Sequence, residues 1–277
     1  MAKNPKILVI GNGYIGTKLG EAFNCPVSGR ILSKLTDCIE EISRYKPEVV
    51  INAVGYTGAR NVDDCELDKD NTLLANTFVP IMLAEACLRS GVRLVHISSG
   101  CIFKYEYGKQ RPIDEKLIPD YYNLYYSRSK VYAERCLDYL SREYPMLTVR
   151  IRIPLDNCPS PRNIIDKLVR YGKVIDIPNS VTYLPDFFRA LKHLVRIKAT
   201  GIYNVVNKGG LRYPRLMKVY RKYHPGFEYS VLPLSSLKLN RTNLVLSTKK
   251  LEESGFKVRH INDVLDECMR EYMKGQI

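Results

Sequence analysis

Lys6-Ile-Leu-Val-Ile-Gly11-Asn-Gly13-Tyr14-Ile15-Gly16-Thr-Lys-Leu19 joins a short apolar run to Gly-x-Gly-x-x-Gly and then to a stretch with helical spacing. A strand feeding a helix through such a loop is the phosphate-binding turn of dinucleotide folds. Gly11 permits the tight turn, Gly13 lets the backbone approach a pyrophosphate, and Gly16 lets the helix pack close to the strand. Tyr14 and Ile15 open that helix and fall beside the same ligand. A ligand-free glycine turn would carry the same residues, but the motif's place at the first strand favours the cofactor reading.

Outward from this motif, apolar runs recur at Lys6–Ile10, Val49–Asn52, Arg93–Ile97 and Leu147–Ile153. Stretches with helical periodicity separate them, at Ile15–Phe23, Cys38–Tyr45, Phe78–Ser90 and Tyr125–Glu143. That alternation predicts an α/β fold, a Rossmann-type doubly wound parallel sheet with crossover helices. After Ile153 the prolines at 154, 159, 161, 178 and 185 break the pattern. Residues 1–153 therefore read as an NADP-binding Rossmann domain, and 154–277 as a smaller substrate-binding lobe with some segments returning to the sheet. Ligands of open parallel sheets sit beyond the strands' carboxyl ends, where such a lobe would cap them.

The 277 residues, 45% of them hydrophobic, suffice for one large domain or for one with a small lobe. The formal charge is +14, yet Lys and Arg are spread along the chain without a basic, aromatic-interleaved run, so no nucleic-acid partner is implied. A positive field equally suits phosphate-bearing cofactors and substrates. Eight cysteines occur without Cys-x-x-Cys or clustered Cys/His spacing, which argues against a disulfide framework or a metal site. The apolar run near Met1 is too brief for a signal peptide or a membrane span, so a cytoplasmic protein is expected.

Arg30, in Pro26-Val-Ser-Gly-Arg30, stands where NAD-preferring sites place an acid. It suits a 2′-phosphate and points to NADPH, with NADH as the alternative; a solvated arginine is the plainer account. Asn52-Ala53-Val54-Gly55 follows another strand and would set small residues beside the cofactor. Tyr126-Ser-Arg-Ser-Lys130 puts a phenol and an ammonium one turn apart on a helix. A carbonyl that accepts hydride must receive a proton, and a nearby cation lowers the phenol's pKa towards the working range. Tyr105-x-x-x-Lys109 has the same spacing but lies in a loop. Tyr126 is preferred because it opens a helix and because a strand upstream ends in Ser98-Ser99, presenting the Ser99 hydroxyl to the same carbonyl.

Glycine turn, strand-end serine and Tyr-x-x-x-Lys, in that order, resemble the extended short-chain dehydrogenase/reductase family across nearly the whole chain. The glycine loop is one residue shorter than that family's usual Gly-x-x-Gly-x-x-Gly. Within the family the likeness is strongest to the bifunctional nucleotide-4-dehydro-6-deoxyglucose 3,5-epimerase/4-reductases of rhamnose synthesis. It is carried by Ser28-Gly-Arg30, Asn61-Val-Asp-Asp-Cys-Glu66, Gly100-Cys-Ile-Phe103, Pro161-Arg-Asn-Ile164, Arg170-Tyr-Gly-Lys-Val174 and Ile177-Pro-Asn-Ser180. Dehydrorhamnose reductases without epimerase function normally carry Asp-Tyr-Val-Phe in place of the Gly100 segment.

The resemblance implies a nucleotide-sugar substrate and a catalytic Ser99, Tyr126 and Lys130, with Lys130 also on the cofactor. It further implies Cys101 as a base and Lys167 as an acid, since epimerisation beside a ketone needs two proton carriers besides the tyrosine. A thiol acts as base once cationic neighbours favour its thiolate. Thr57, Asn76, Arg162 and Asn163 fall on segments similar to the family's sugar- or diphosphate-binding parts, and a homodimer through the Tyr126 helix would fit. The alternatives are a reductase without epimerase activity, a nonenzymatic NADPH-sensing subunit, and an RNA-binding protein recruited by charge. Neither of the last two accounts for Ser99, Tyr126 and Lys130 together.

Overall fold

The structure, a computed structural model, describes residues 5–106, 110–236 and 242–276. In chain order the regular elements begin β1 (Ile7–Ile10), α1 (Tyr14–Phe23), β2 (Val27–Ser28), α2 (Leu35–Tyr45), β3 (Val49–Asn52), α3 (Lys69–Leu73), α4 (Val79–Arg89), β4 (Arg93–Ser99), α5 (Tyr125–Leu140) and β5 (Leu147–Ile151). There follow β6 (Pro154–Leu155), α6 (Ile164–Tyr171), β7 (Lys173–Ile175), β8 (Thr182–Tyr183), α7 (Leu184–Arg196), β9 (Gly201–Asn204), α8 (Tyr213–Arg221), β10 (Ser230–Leu232), α9 (Lys249–Glu253) and α10 (Ile261–Lys274).

One sheet has six strands in the order β2-β1-β3-β4-β5-β9. The registers joining its first four strands are parallel, with Val9 opposite both Val27 and Ile51, and Ile51 opposite Val95. β1 and β3 are buried almost throughout, as strands covered by helices on both faces must be. The expected doubly wound α/β sheet is therefore present.

The chain divides into two compact units: 1–102, 119–150 and 194–203 form the first, and 103–118, 151–193 and 204–277 the second. Segment 194–203 is held in the first unit by Arg93, whose guanidinium donates to the carbonyls of Val195 and Ala199, and by the Gly201 amide bonding Met146 O. Segment 103–118 is held in the second, where Ile113 N donates to Val245 O and Ser247 N to Ile113 O.

The first unit's core gathers Leu8, Ile10 and Val50 from the sheet with Ile42, Leu83, Cys87 and Leu137 from the helices. The second unit has its own core, in which α10 contributes Ile261, Val264, Leu265, Cys268, Met269 and Tyr272 from one face. Their spacing of three and four residues is what a helix needs to bury a single stripe.

Several boundaries differ from the sequence reading for local reasons. The strand expected to reach Ile153 stops at Ile151, because Ile153 takes a left-handed backbone (φ 37°) just before Pro154. The helix expected from Cys38 begins at Leu35, where the Asp37 carboxylate accepts from the amides of Ser33 and Lys34 and ties down the first turn. The helix expected at Phe78–Ser90 extends back through a π-helical turn at Leu74–Phe78 to Lys69. This 21-residue run is by length and composition apolar enough to cross a membrane, and half of its most apolar window is buried inside the protein.

Beneath the carboxyl edge of the sheet lies a buried ion pair. Glu134 on α5 accepts from Arg150 Nη2 at 2.6 Å and Nε at 3.0 Å, and its other oxygen accepts from the Ser98 hydroxyl at 2.8 Å. Both side chains are at most 2% exposed, so each needs the other to offset its lost hydration. Arg150→Met should lower the unfolding free energy by about 3–5 kcal/mol, and adding Glu134→Gln should recover most of it. Urea unfolding of the three proteins checks this; an Arg150→Met protein as stable as the parent would refute the pair's role.

Candidate active site

The glycine loop and the end of β3 are built against each other. Gly11 has φ +102°, and a methyl group there would stand 2.8 Å from Val54 N. One at Gly16 would stand 1.7 Å from Gly11 O, so the helix approaches as closely as a glycine allows. Gly13 differs: a methyl group there meets nothing within 4 Å, and the first turn of α1 holds no acidic residue. An open backbone cradle at the positive end of a helix fits a pyrophosphate.

Asn52, expected to line the cofactor, is fully buried and braces the loop. Its Oδ1 accepts from Val54 N at 3.0 Å, which leaves its amide to donate to His96 Nδ1 at 3.1 Å. Burial, helped by the charge of Lys130, keeps His96 neutral. Ala53, Val54 and Gly55 are partly or fully exposed.

Lys130 is buried to 4% exposure, and a methyl group on Gly55 would lie 3.2 Å from its Nζ. The turn after β3 therefore lies directly against the ammonium. Burial pulls its pKa down to about 8, opposed by the charges of Cys65 and Glu134. Asn76 holds this corner together. Its Oδ1 accepts from Tyr56 N and its amide donates to Tyr56 O and to the Ser129 hydroxyl. Thr77 Oγ1 adds a bond to Ser129 O, so the π-helical turn is pinned to α5 between the tyrosine and the lysine.

Tyr126 packs in a buried cluster with Cys65, Tyr121 and Leu124, and Cys101 packs against the same cluster. Ser99 ends β4, and its hydroxyl accepts from Cys101 N at 3.1 Å. The first unit thus collects Ser99, Cys101, Tyr126 and Lys130 around the carboxyl ends of β3 and β4. Thr57 is half-buried in this unit. Of the other pair with this spacing, Tyr105 donates its hydroxyl to Gln110 O, and Lys109 lies outside the described residues.

Two of the expected substrate contacts, Asn76 and Asn163, are bonded within the chain itself. Asn76 is wholly buried and spends its amide on the chain itself, as just described. Asn163, in the second unit, is likewise wholly buried. Its oxygen accepts from the amides of Asp156 and Ile165, and its nitrogen donates to Asp156 O and Cys158 O. Both asparagines hold their loops in place through these bonds. Arg162 is exposed, and Lys167 is half-buried one turn along α6; burial, then Arg162 and Arg170, lower the Lys167 pKa.

Arg30 is not a free cation. It pairs with Glu40 at 2.7 Å, Asp37 at 3.1 Å and Glu41 at 3.6 Å. Sequence reading missed these acids, along with Ser129, Thr77, His96, Glu134 and Arg150. Of these only Ser129 lies inside a segment that the sequence singled out, Tyr126-Ser-Arg-Ser-Lys130.

A parallel sheet with a glycine loop at its first strand, and a Ser/Tyr/Lys set beyond its strands, defines a short-chain dehydrogenase/reductase. Residues 26–170 match the NAD dependent epimerase/dehydratase family. A bifunctional dTDP-4-dehydrorhamnose 3,5-epimerase/dTDP-4-dehydrorhamnose reductase of Arabidopsis thaliana is 32% identical over 257 residues, covering 84% of this chain and 83% of the relative. The crystal structure of the L780 UDP-rhamnose synthase of Acanthamoeba polyphaga mimivirus superposes with a TM-score of 0.86 at 26% identity, over 97% of this chain and 100% of that one. The NADP complex of the Bacillus anthracis dTDP-4-dehydrorhamnose reductase shares the fold, with a TM-score of 0.82 at 22% identity over 98% and 99% of the chains. The chain belongs to the NAD dependent epimerase/dehydratase family, the extended short-chain dehydrogenases/reductases, and is an enzyme.

The depressed Lys130 pKa has a sign that can be measured. A lysine that titrates near 8 when folded and at 10.5 when unfolded lowers stability fully below pH 8, by about 3 kcal/mol. That penalty fades as pH rises from 8 to 10.5. Cofactor-free Lys130→Met protein should therefore melt higher than the parent at pH 7, with the gap closing towards pH 10. A gap that does not change with pH would contradict the assignment.

Proposed function

We propose that this enzyme converts a dTDP- or UDP-linked 4-dehydro-6-deoxyglucose to the L-rhamnose nucleotide, by epimerisation at C3 and C5 and reduction at C4 with NADPH. The observation that carries the reading is the packing of Cys101 against the buried cluster of Tyr126, with its amide bonded to the Ser99 hydroxyl. A thiol is thereby added to the reductase set, at the point where a reductase alone has no use for one.

Cys101 removes a proton beside the C4 ketone, and the Ser99 and Tyr126 hydroxyls hold the enolate oxygen. Lys167 returns a proton from the opposite face, a role that suits an ammonium whose proton is loosened by burial and by Arg162 and Arg170. Epimerisation at the second carbon repeats the exchange. In the reduction, Tyr126 donates its proton to the C4 alkoxide while Lys130 stabilises the phenolate left behind. The bound nicotinamide supplies the hydride. The residues that would hold it are Gly11, Gly13, Tyr14, Ile15 and Gly16 at the pyrophosphate, Arg30 at the adenosine ribose, and Lys130 with the turn 52–55 at the nicotinamide end. Arg162 is assigned to the substrate diphosphate.

In deuterated water without NADPH, the purified protein should place deuterium at C3 and C5 of the 4-keto sugar nucleotide, and Cys101→Ala should not. Exchange absent from the parent would leave a reductase only. Tyr126→Phe should reduce the keto sugar about 10²- to 10⁴-fold more slowly. Reduction at the parent rate would remove Tyr126 as the proton donor.

A further inference from the structure

The acids around Arg30 bear on which dinucleotide the enzyme prefers, an inference that rests on the cofactor reading above. Arg30 follows β2, where an adenosine ribose would lie next to the glycine loop; a methyl group on neighbouring Gly29 would stand 2.5 Å from Asn12 Nδ2. A lone arginine here would favour a 2′-phosphate. Instead, three carboxylates from α2 and its first turn face one guanidinium, so the cluster is net negative before any ligand arrives.

The three acids are not equivalent. Asp37 is committed to the start of α2, where it accepts from the amides of Ser33 and Lys34 and the hydroxyl of Ser33. Glu41 is buried, with 2% of its side chain exposed, and accepts from the Ser28 hydroxyl at 2.5 Å. Its other oxygen makes no hydrogen bond among the described residues and faces Arg30 Nη1 at 3.6 Å, so the arginine is its countercharge. Glu40 is 60% exposed, and its carboxylate accepts from Arg30 Nη2. It is the acid that competes with an incoming phosphate without being needed to hold the loop.

We infer that Glu40 sets the cofactor discrimination of this enzyme: by occupying Arg30 it weakens the grip on a 2′-phosphate, so that NADH and NADPH bind with comparable affinity. Glu40 acts through Arg30, and its effect is confined to ligands that carry the 2′-phosphate.

Calorimetric titration of the cofactor-free enzyme with NADPH and NADH tests this without any turnover. The two dissociation constants of the parent should lie within about tenfold of each other. Glu40→Gln, isosteric and on the exposed side of α2, should raise the NADPH-to-NADH affinity ratio by about threefold to tenfold at low salt. Adenosine 2′,5′-bisphosphate measured against 5′-AMP should show the same change. An unchanged ratio in Glu40→Gln, or a parent preference for NADPH beyond roughly a hundredfold, would overturn the role of Glu40 while leaving the cofactor reading intact. Failure of the parent to bind either dinucleotide would overturn both.

Discussion

The first unit is organised around an ammonium held almost out of water. Lys130 sits at the carboxyl edge of the sheet with the backbone of Gly55 against it, in surroundings that draw its pKa down to about 8. Such a group is tolerated only where the elements around it cannot relax away. Each neighbour meets that demand. Asn76 clamps both backbone groups of Tyr56, Thr77 and Asn76 pin the π-helical turn to Ser129, and Glu134 anchors α5 through Ser98 and Arg150. His96, kept neutral by burial, adds no second positive charge nearby. The outcome is a lysine that is charged at neutral pH, fixed in place, and close to the turn where a nicotinamide ribose is proposed to bind.

What the sequence made legible follows from how local each signal is. The glycine loop, the β-branched runs and the Tyr126/Lys130 spacing are encoded in contiguous residues, and the sheet and α5 appear where those runs place them. The internal bonds of the asparagines were not legible for the opposite reason. Asn76 and Asn163 look like polar site residues, but their hydrogen bonds go to Tyr56, Ser129, Asp156 and Cys158. Nothing in their own segments records which backbone groups will come near. Arg30 was read as a free cation because its partners arrive from the next helix, seven to eleven positions later in the chain. The exchange of segments between units was equally hidden: Arg93 draws Val195 and Ala199 to the sheet across a hundred residues.

The chemistry proposed here needs little that a reductase does not already have. Ser99 and Tyr126 can hold the oxygen of a ketone, an enolate or an alkoxide, since all three place charge at the same atom. Adding a thiol beside that oxygen extends one site from reduction to proton exchange at the neighbouring carbons. Cys101, the thiol proposed for this role, packs against the Tyr126 cluster and bonds Ser99 through its amide. In the second unit, Arg162 before α6 and Arg170 on it add to burial in loosening the proton of Lys167, the residue proposed as the acid.

The central claim is that a nicotinamide binds beside the phenol and ammonium at the mouth of the sheet. A crystal structure of the enzyme soaked with NADP⁺ tests it most directly. The pyrophosphate should lie on the Gly13 amide, a ribose hydroxyl within about 3 Å of Lys130 Nζ, and nicotinamide C4 within about 5 Å of Tyr126 Oη. A dinucleotide bound elsewhere, or with its nicotinamide directed away from that pair, would contradict it.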